Sequence, residues 1–97
     1  MSDHYRISHP GVVSDQLRAA FARARAEGVG IVAAKAAQWI VEEMERTPFE
    51  FGESREYWPS AELHSRIAFA SPLYVVFGIH EPSRTVFVTR IGWMKRN

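Results

Sequence analysis

The last third of the chain alternates apolar and polar residues with a period of two, which is typical of β-strands that bury one face. Three such runs predict strands at Leu63–Ala70, Leu73–His80 and Thr85–Trp93. Serine and proline residues between the runs favour tight turns, and short connections join antiparallel neighbours. We therefore expect an antiparallel meander with an apolar face that other elements must cover.

The phase of the alternation assigns the meander side chains to two faces. The residues expected on the buried face are Ile67, Phe69, Leu73, Val75, Phe77 and Ile79. Those expected on the opposite face are His64, Arg66, Ala68, Tyr74, Val76, Gly78 and His80. A three-residue connection, Ser71–Leu73, would place Arg66 opposite Gly78. Arg90 joins the same face if the last hairpin pairs Val76 with Val88 and Tyr74 with Arg90.

Two helices are predicted before the meander, because apolar residues recur there every three or four positions. The first starts at Pro10 and ends at Gly28-Val29-Gly30, and the second runs roughly over Ile31–Arg46. Their predicted core-facing residues are Val13, Leu17, Ala20, Phe21, Ala24, Val32, Ala36, Trp39, Ile40 and Met44. Tyr5–Ser8 is predicted as a short strand, and Phe49–Pro59 as an irregular loop pinned by its aromatic residues.

The order β-α-α-β-β-β predicts an α+β fold in two layers, with a helical hairpin packed on one face of a mainly antiparallel sheet. Residues 1–97 are expected to form a single domain. A hydrophobic fraction of 46% and a charged fraction of 24% are ordinary for a globular protein. We find no membrane-spanning run and no secretory signal, so a cytoplasmic location without a membrane partner is expected.

Charge and residue types limit the possible chemistry. Twelve Lys and Arg against 11 Asp and Glu give a net charge of +1, which argues against broad electrostatic binding of nucleic acid but allows a small basic site. The absence of cysteine excludes disulfides, a thiolate nucleophile and cysteine-based zinc sites. Four scattered histidines lack metal-ligand spacing, and no phosphate-binding glycine loop occurs. No cofactor or metal is therefore expected.

Several short motifs stand in a recognisable order along the chain. They are MERTP, GES, RIAF, LYVVFGI and TVFVTRIG, spread over residues 44–92. Together with the order of elements they resemble the RelE/ParE superfamily, the small toxins of bacterial type II toxin–antitoxin systems. The resemblance covers nearly the whole chain. It matches Pro48 and Gly52 to the loop after the helical hairpin, and Arg66 to the arginine that opens the first meander strand.

The resemblance implies one of three functions. The first is a ribosome-dependent mRNA endonuclease like RelE, which uses the 2′-hydroxyl of the RNA as the nucleophile. The second is a non-catalytic inhibitor of DNA gyrase like ParE, and the third is a degenerate member that only binds a partner protein. RNA-cleaving members usually carry a second arginine where this chain has Tyr74, and several lysines in the loop where it has Arg55. A cognate antitoxin is the implied protein partner in a toxin pair.

For the endonuclease, the sequence offers candidates for each task that RNA cleavage requires. Those predicted to be catalytic are Arg66, Tyr74, Arg90 and His80, and those predicted to bind substrate are Arg55, His64, Lys95 and Arg96. Arginine can hold a phosphate with two hydrogen bonds, tyrosine can stack on a base or donate a proton, and histidine can exchange protons near neutral pH. Arg66 is the residue most closely tied to function in this hypothesis. The alternative for each arginine is an ordinary solvated surface residue.

The antitoxin is expected to lie over the toxin as helices or as an added strand. We expect the last predicted strand to lie at an open edge of the sheet, which could accept such a strand.

Overall fold

A computed structural model describes residues 4–94, which form two helices packed on one five-stranded sheet. The elements in chain order are β1 Arg6–Ser8, α1 Gly11–Ala26, α2 Gly30–Arg46, β2 Glu53–Trp58, β3 Leu63–Ala70, β4 Leu73–His80 and β5 Thr85–Trp93. The strands lie in the order β1-β5-β4-β3-β2, with β1 parallel to β5 and all other neighbours antiparallel. The predicted α+β fold is thus confirmed. No helix in residues 4–94 has the length and apolar character needed to cross a membrane.

The bounds of the three meander strands match the prediction, but the segment predicted as a loop contains a strand. Residues Glu53–Trp58 form β2, which pairs with β3 at one edge of the sheet. All six residues of β2 are exposed. A strand exposed on both faces lacks the alternation on which the sequence-based prediction relies.

The helical hairpin forms as predicted, with small differences at its ends. The N-cap residue of α1 is Pro10, and no described side chain makes a capping hydrogen bond there. Gly28 adopts a φ of +76°, and the N–H of Val29 donates to the carbonyl of Ala24, which closes the end of α1. Helix α2 then begins at Gly30.

The core lies between the two helices and the face of the sheet that they cover. Its fully buried members include Leu73, Val75, Phe77, Ile79 and Val86 from the sheet and Ile40 from α2. The phase predicted for β4 is therefore confirmed. On α2, however, Trp39 is 46% exposed and Val32 is 53% exposed, so their predicted core positions are wrong. The buried positions are taken by alanines such as Ala33 and Ala36, which allow close packing.

The predicted phase of β3 is wrong by one residue. Ala68 and Ala70 are buried in the core, whereas Phe69 is 55% exposed on the other face. The cause is the β3–β4 connection, which has two residues and pairs Ala70 with Leu73. Arg66 consequently lies opposite Phe77 instead of Gly78, on the face covered by the helices.

The predicted register of the last hairpin is also wrong. Phe77 pairs with Val88, but Val76 pairs with Arg90, because a β-bulge at Thr89 adds one residue to β5 between these pairs. The bulge is held at both ends. The Thr89 hydroxyl donates to the carbonyl of Val76, and the N–H of Ile91 donates to the side-chain oxygen of Gln16 on α1.

The last strand does not lie at an edge, so the open edge expected there is absent. β5 is flanked by β4 on one side and by β1 on the other. The N-terminal strand, although only three residues long, occupies the edge position that the order of the chain suggested for β5.

Candidate functional site

The face of the sheet opposite the helices, which we call the open face, exposes large apolar side chains. Phe69 is 55% exposed, Trp58 is 44% exposed and Phe87 is 40% exposed. Ile67 on β3 and Tyr74 and Val76 on the central strand β4 lie on the same face and are half-buried. Large exposed apolar side chains on one face of a sheet make that face a candidate binding surface.

A hollow of about 510 Å³ opens on this face. It is lined by Arg55 from β2, Ile67 from β3, Tyr74 and Val76 from β4, and Thr89 and Arg90 from β5. Apolar side chains therefore form its centre, and arginines from two non-adjacent strands stand on either side. The structure thus brings together Arg55, Tyr74 and Arg90, three of the residues predicted from the sequence.

The two arginines of the hollow both lie at β-bulges. Arg55 is the extra residue between the pairs Ser54–Arg66 and Glu56–Ser65. In β5, an uninterrupted register from Phe77–Val88 would pair Arg90 with Val75, on the helix-covered face. The bulge at Thr89 instead turns Arg90 to the open face and Ile91 into the core, where it is 7% exposed. Bulges commonly redirect side chains next to functional sites.

The aromatic ring of Tyr74 lies across Gly92, its partner on β5. A Cβ atom at Gly92 would lie 2.8 Å from Cε1 of Tyr74, so glycine leaves the space that the ring occupies. Phe69 pairs with Tyr74 on its other side. The Tyr74 hydroxyl has no hydrogen-bond partner among residues 4–94, and it is therefore available to a ligand.

The arginines of the hollow are likewise available. The ion pairs within residues 4–94 are Arg18–Asp15 and Arg23–Glu27, both on the exterior of α1 or at its end. Neither Arg55 nor Arg90 makes an ion pair in this part of the chain, and no described carboxylate lines the hollow. Two guanidinium groups around one hollow, neither bound to a described carboxylate, favour a ligand with a phosphate or another oxyanion.

Arg66 lies elsewhere and has another set of contacts. Its Nε donates to the carbonyl of Phe51 at 3.0 Å, and its Nη2 donates to the carbonyl of Gly52 at 2.8 Å. These bonds hold the turn that leads from α2 into β2. Arg66 is therefore not part of the hollow, and its predicted position opposite Gly78 is wrong. Its predicted catalytic role stays a prediction.

The predicted histidines also lie outside the hollow. His64 is on the helix-covered side, with its ring 4.3 Å from that of Tyr57 and 5.1 Å from that of Phe49. His80 ends β4, six residues from Tyr74 and therefore about 20 Å away. Its Nδ1 lies 2.6 Å from the Ser83 hydroxyl. Lys95 and Arg96 lie outside the described residues.

Sequence reasoning missed Ile67, Val76 and Thr89 as lining residues of the hollow. The sequence pattern places Val76 on this face without indicating a role, and it assigns Ile67 to the core. No pattern in the sequence marks Thr89 as a bulge. The residues before and after it each alternate regularly, so the sequence does not show where the alternation changes phase.

Comparisons of this chain with protein-family models, with curated proteins and with solved structures find no match. Among residues 4–94 no group of three or more histidine, aspartate or glutamate side chains is placed to hold a metal ion. The hollow is lined by arginine, tyrosine, threonine and apolar side chains.

Proposed function

We propose that this protein is the toxin component of a type II toxin–antitoxin pair and acts in the cytoplasm through its open face. The resemblance to the RelE/ParE superfamily leads to this proposal. A helical hairpin over an antiparallel sheet, which the structure has, supports it at the level of the fold. The free face of the sheet is the surface on which a target can bind.

The proposed activity is ribosome-dependent cleavage of mRNA. The observation that carries it is the grouping of Arg55, Arg90 and Tyr74 around one hollow without a described carboxylate. RNA presents both chemical groups that such a hollow favours, since it carries phosphates for the arginines and unstacked bases for the tyrosine ring.

In the proposed reaction the 2′-oxygen of the RNA attacks the adjacent phosphorus, and the bond from phosphorus to the 5′-oxygen breaks. The products are a 2′,3′-cyclic phosphate and a 5′-hydroxyl. Arg55 and Arg90 stabilise the negative charge that builds on the phosphate oxygens, and the Tyr74 hydroxyl donates a proton to the departing 5′-oxygen. The 2′-hydroxyl proton passes to solvent, because the histidines predicted as the base lie away from the hollow.

A second candidate is non-catalytic inhibition of DNA gyrase, as in ParE-like proteins. The exposed aromatic residues Trp58, Phe69 and Phe87 favour it, because a protein partner can bury them. A protein that only binds such a partner, without toxicity, is the third function that the resemblance implies.

Induced expression in a bacterial host tests these functions. The wild-type protein is expected to arrest growth and to produce mRNA ends that primer extension maps to discrete positions. Tyr74→Phe and Arg90→Ala are expected to lose these ends, whereas Arg18→Ala, which removes an exposed arginine from α1, is the matched control. Growth arrest without new mRNA ends, together with blocked DNA supercoiling by purified gyrase, would favour the second candidate.

The proposed antitoxin can extend the sheet at β2. This edge strand has six exposed residues and a free side that no described element covers, whereas β5 is interior. Coexpression with the product of an adjacent small reading frame is expected to yield a copurifying complex. A neighbourhood without such a frame, combined with harmless expression, would favour the binding-only function.

A further inference from the structure

A second hollow of about 480 Å³ opens on the other end of the open face, between β1 and the start of β5. Its polar lining consists of Arg6, Ser8, His9, Ser83 and Thr85, and Phe87 lines it as well. Both Arg6 and Ser8 point away from the core, since Ile7 between them packs against it. We call this second hollow the β1 hollow and the one around Tyr74 the tyrosine hollow.

The two hollows contain the same kinds of groups. Each has an arginine without an ion pair among residues 4–94, a threonine hydroxyl and an aromatic ring, and neither is lined by a described carboxylate. Arg6 makes a single long hydrogen bond, 3.4 Å from its Nη2 to the Thr85 hydroxyl, so most of its donors remain free. A phosphate can therefore bind in the β1 hollow by the same chemistry as in the tyrosine hollow.

The hollows are connected along β5. Thr85 and Arg90 are five residues apart on this strand, or about 15 Å. Phe87 lies between them, 40% exposed and able to stack on a base. The opposite side of the open face is acidic instead, because Glu53 and Glu56 on β2 pair with open-face residues of β3. Electrostatics thus favours a path along β5 and disfavours one along β2.

We propose that the β1 hollow is a second phosphate-binding subsite, and that the ligand of the open face is a single RNA strand running from the tyrosine hollow past Phe87 to Arg6. This inference rests on the proposed function. It adds a length requirement, because a dinucleotide cannot reach both hollows and a strand of about 4 or more nucleotides can. Arg6 then acts in binding and takes no part in cleavage. Thr85 is buried and donates its hydroxyl to the Ser83 carbonyl, so it positions Arg6 by accepting its hydrogen bond.

The test measures binding of two non-cleavable probes, a 2′-O-methyl oligouridylate of about 10 nucleotides and the corresponding dinucleotide, at several salt concentrations. Arg6→Ala is expected to weaken binding of the longer probe about tenfold and to reduce the slope of log affinity against log salt by about 0.7, the loss of one phosphate contact. Binding of the dinucleotide should not change. Arg90→Ala is expected to weaken binding of both probes.

Two further variants keep the result interpretable. Arg18→Ala removes the same charge from α1 and should leave binding of both probes unchanged. Ser8→Glu adds a negative charge to the β1 hollow at an exposed position, and it should weaken binding of the longer probe even if Arg6→Ala is poorly folded. Thermal unfolding of each variant checks that it is folded.

Different results overturn the two proposals. If Arg6→Ala and Ser8→Glu bind the longer probe as Arg18→Ala does, while Arg90→Ala binds it more weakly, the second subsite is wrong and the proposed function stands. If Arg90→Ala also binds both probes like the wild type, or the wild type binds neither, the RNA-binding function itself is wrong.

Discussion

The two faces of the sheet are built from the same strands but have different contents. On the helix-covered face, Leu73, Val75, Phe77 and Ile79 of β4 are fully buried. On the open face, the same strand presents Tyr74 and Val76 half-buried beside two arginines that make no ion pair within residues 4–94. One face provides the stability of the fold, and the other offers a surface for a ligand.

Arg66 and Arg90 show the difference between the faces at the level of one residue type. The guanidinium of Arg66 is engaged by the carbonyls of Phe51 and Gly52 on the helix-covered side. That of Arg90 lies on the open face and makes no bond to another described side chain. An arginine in a strand can thus be a structural donor or a ligand-binding group, and the register of the strand selects between them.

Replacing Ile91 by aspartate is expected to have the largest effect, because the bulge at Thr89 turns this side chain into the core. Ile91 is 7% exposed, so Ile91→Asp would bury a carboxylate without an ion pair. This change should cost about 3–5 kcal/mol of unfolding free energy, measured by urea denaturation. Arg90→Asp is the control, since it introduces the same carboxylate one residue earlier on the open face and should change the unfolding free energy by about 0.5 kcal/mol or less. Equal costs for the two variants would show that the bulge does not set the phase.

Phenylalanine truncation compares the two faces directly. Phe77 is fully buried and stacks on Phe51 with ring centroids 5.8 Å apart, so Phe77→Ala should lower the unfolding free energy by about 3–5 kcal/mol. Phe69 is 55% exposed, and Phe69→Ala should change it by about 0.5 kcal/mol or less. Chemical denaturation of both variants gives the comparison. An equal cost for Phe69→Ala would mean that another molecule covers the open face in solution.

Replacement of the two arginines separates an effect on stability from an effect on function. Arg66→Ala should lower the unfolding free energy by about 1–3 kcal/mol, since two charge-assisted hydrogen bonds are lost, and Arg66→Lys should recover only part of it. Arg90→Ala should change stability by about 0.5 kcal/mol or less and abolish growth arrest. If Arg66→Ala retains full stability yet loses toxicity, the catalytic role predicted for Arg66 from the sequence would be supported.

A turn next to Arg66 explains why its position could not be read from the sequence. Gly52 has a φ of +74°, and a Cβ atom there would collide with the Ile67 carbonyl and lie 2.7 Å from Cβ of Ala68. The turn therefore presses closely onto β3, where only an alanine fits beneath it. The sequence predicted Gly52 as a turn residue, but not that its neighbour Phe51 would supply a carbonyl to Arg66.

Local patterns along the chain were sufficient for six of the seven elements and their order, and they missed only β2. Periodicity located both helices and the three meander strands, and proline and glycine marked their ends, because these signals depend on residues near one another in the chain. The alternation in β4 was also unambiguous, since its odd-numbered positions are all large and apolar. The candidate site was predicted in part, with Arg55, Tyr74 and Arg90 found together in the structure.

Only the tertiary structure decided which residues of β3 and β5 face the core. It also decided which strands form the edges of the sheet and that Arg66 lies apart from Arg90. Residues 67–70 of β3 are apolar at odd and at even positions. The larger residues, Ile67 and Phe69, suggested that the odd positions face the core, but the even positions do. The alanines are buried because the helices and the Gly52 turn approach closely, which depends on residues distant in the chain. In β5 the extra residue at the bulge reverses the face of every residue after it. The bulge is stabilised by hydrogen bonds to Val76 and Gln16, which form only when the sheet and α1 are assembled.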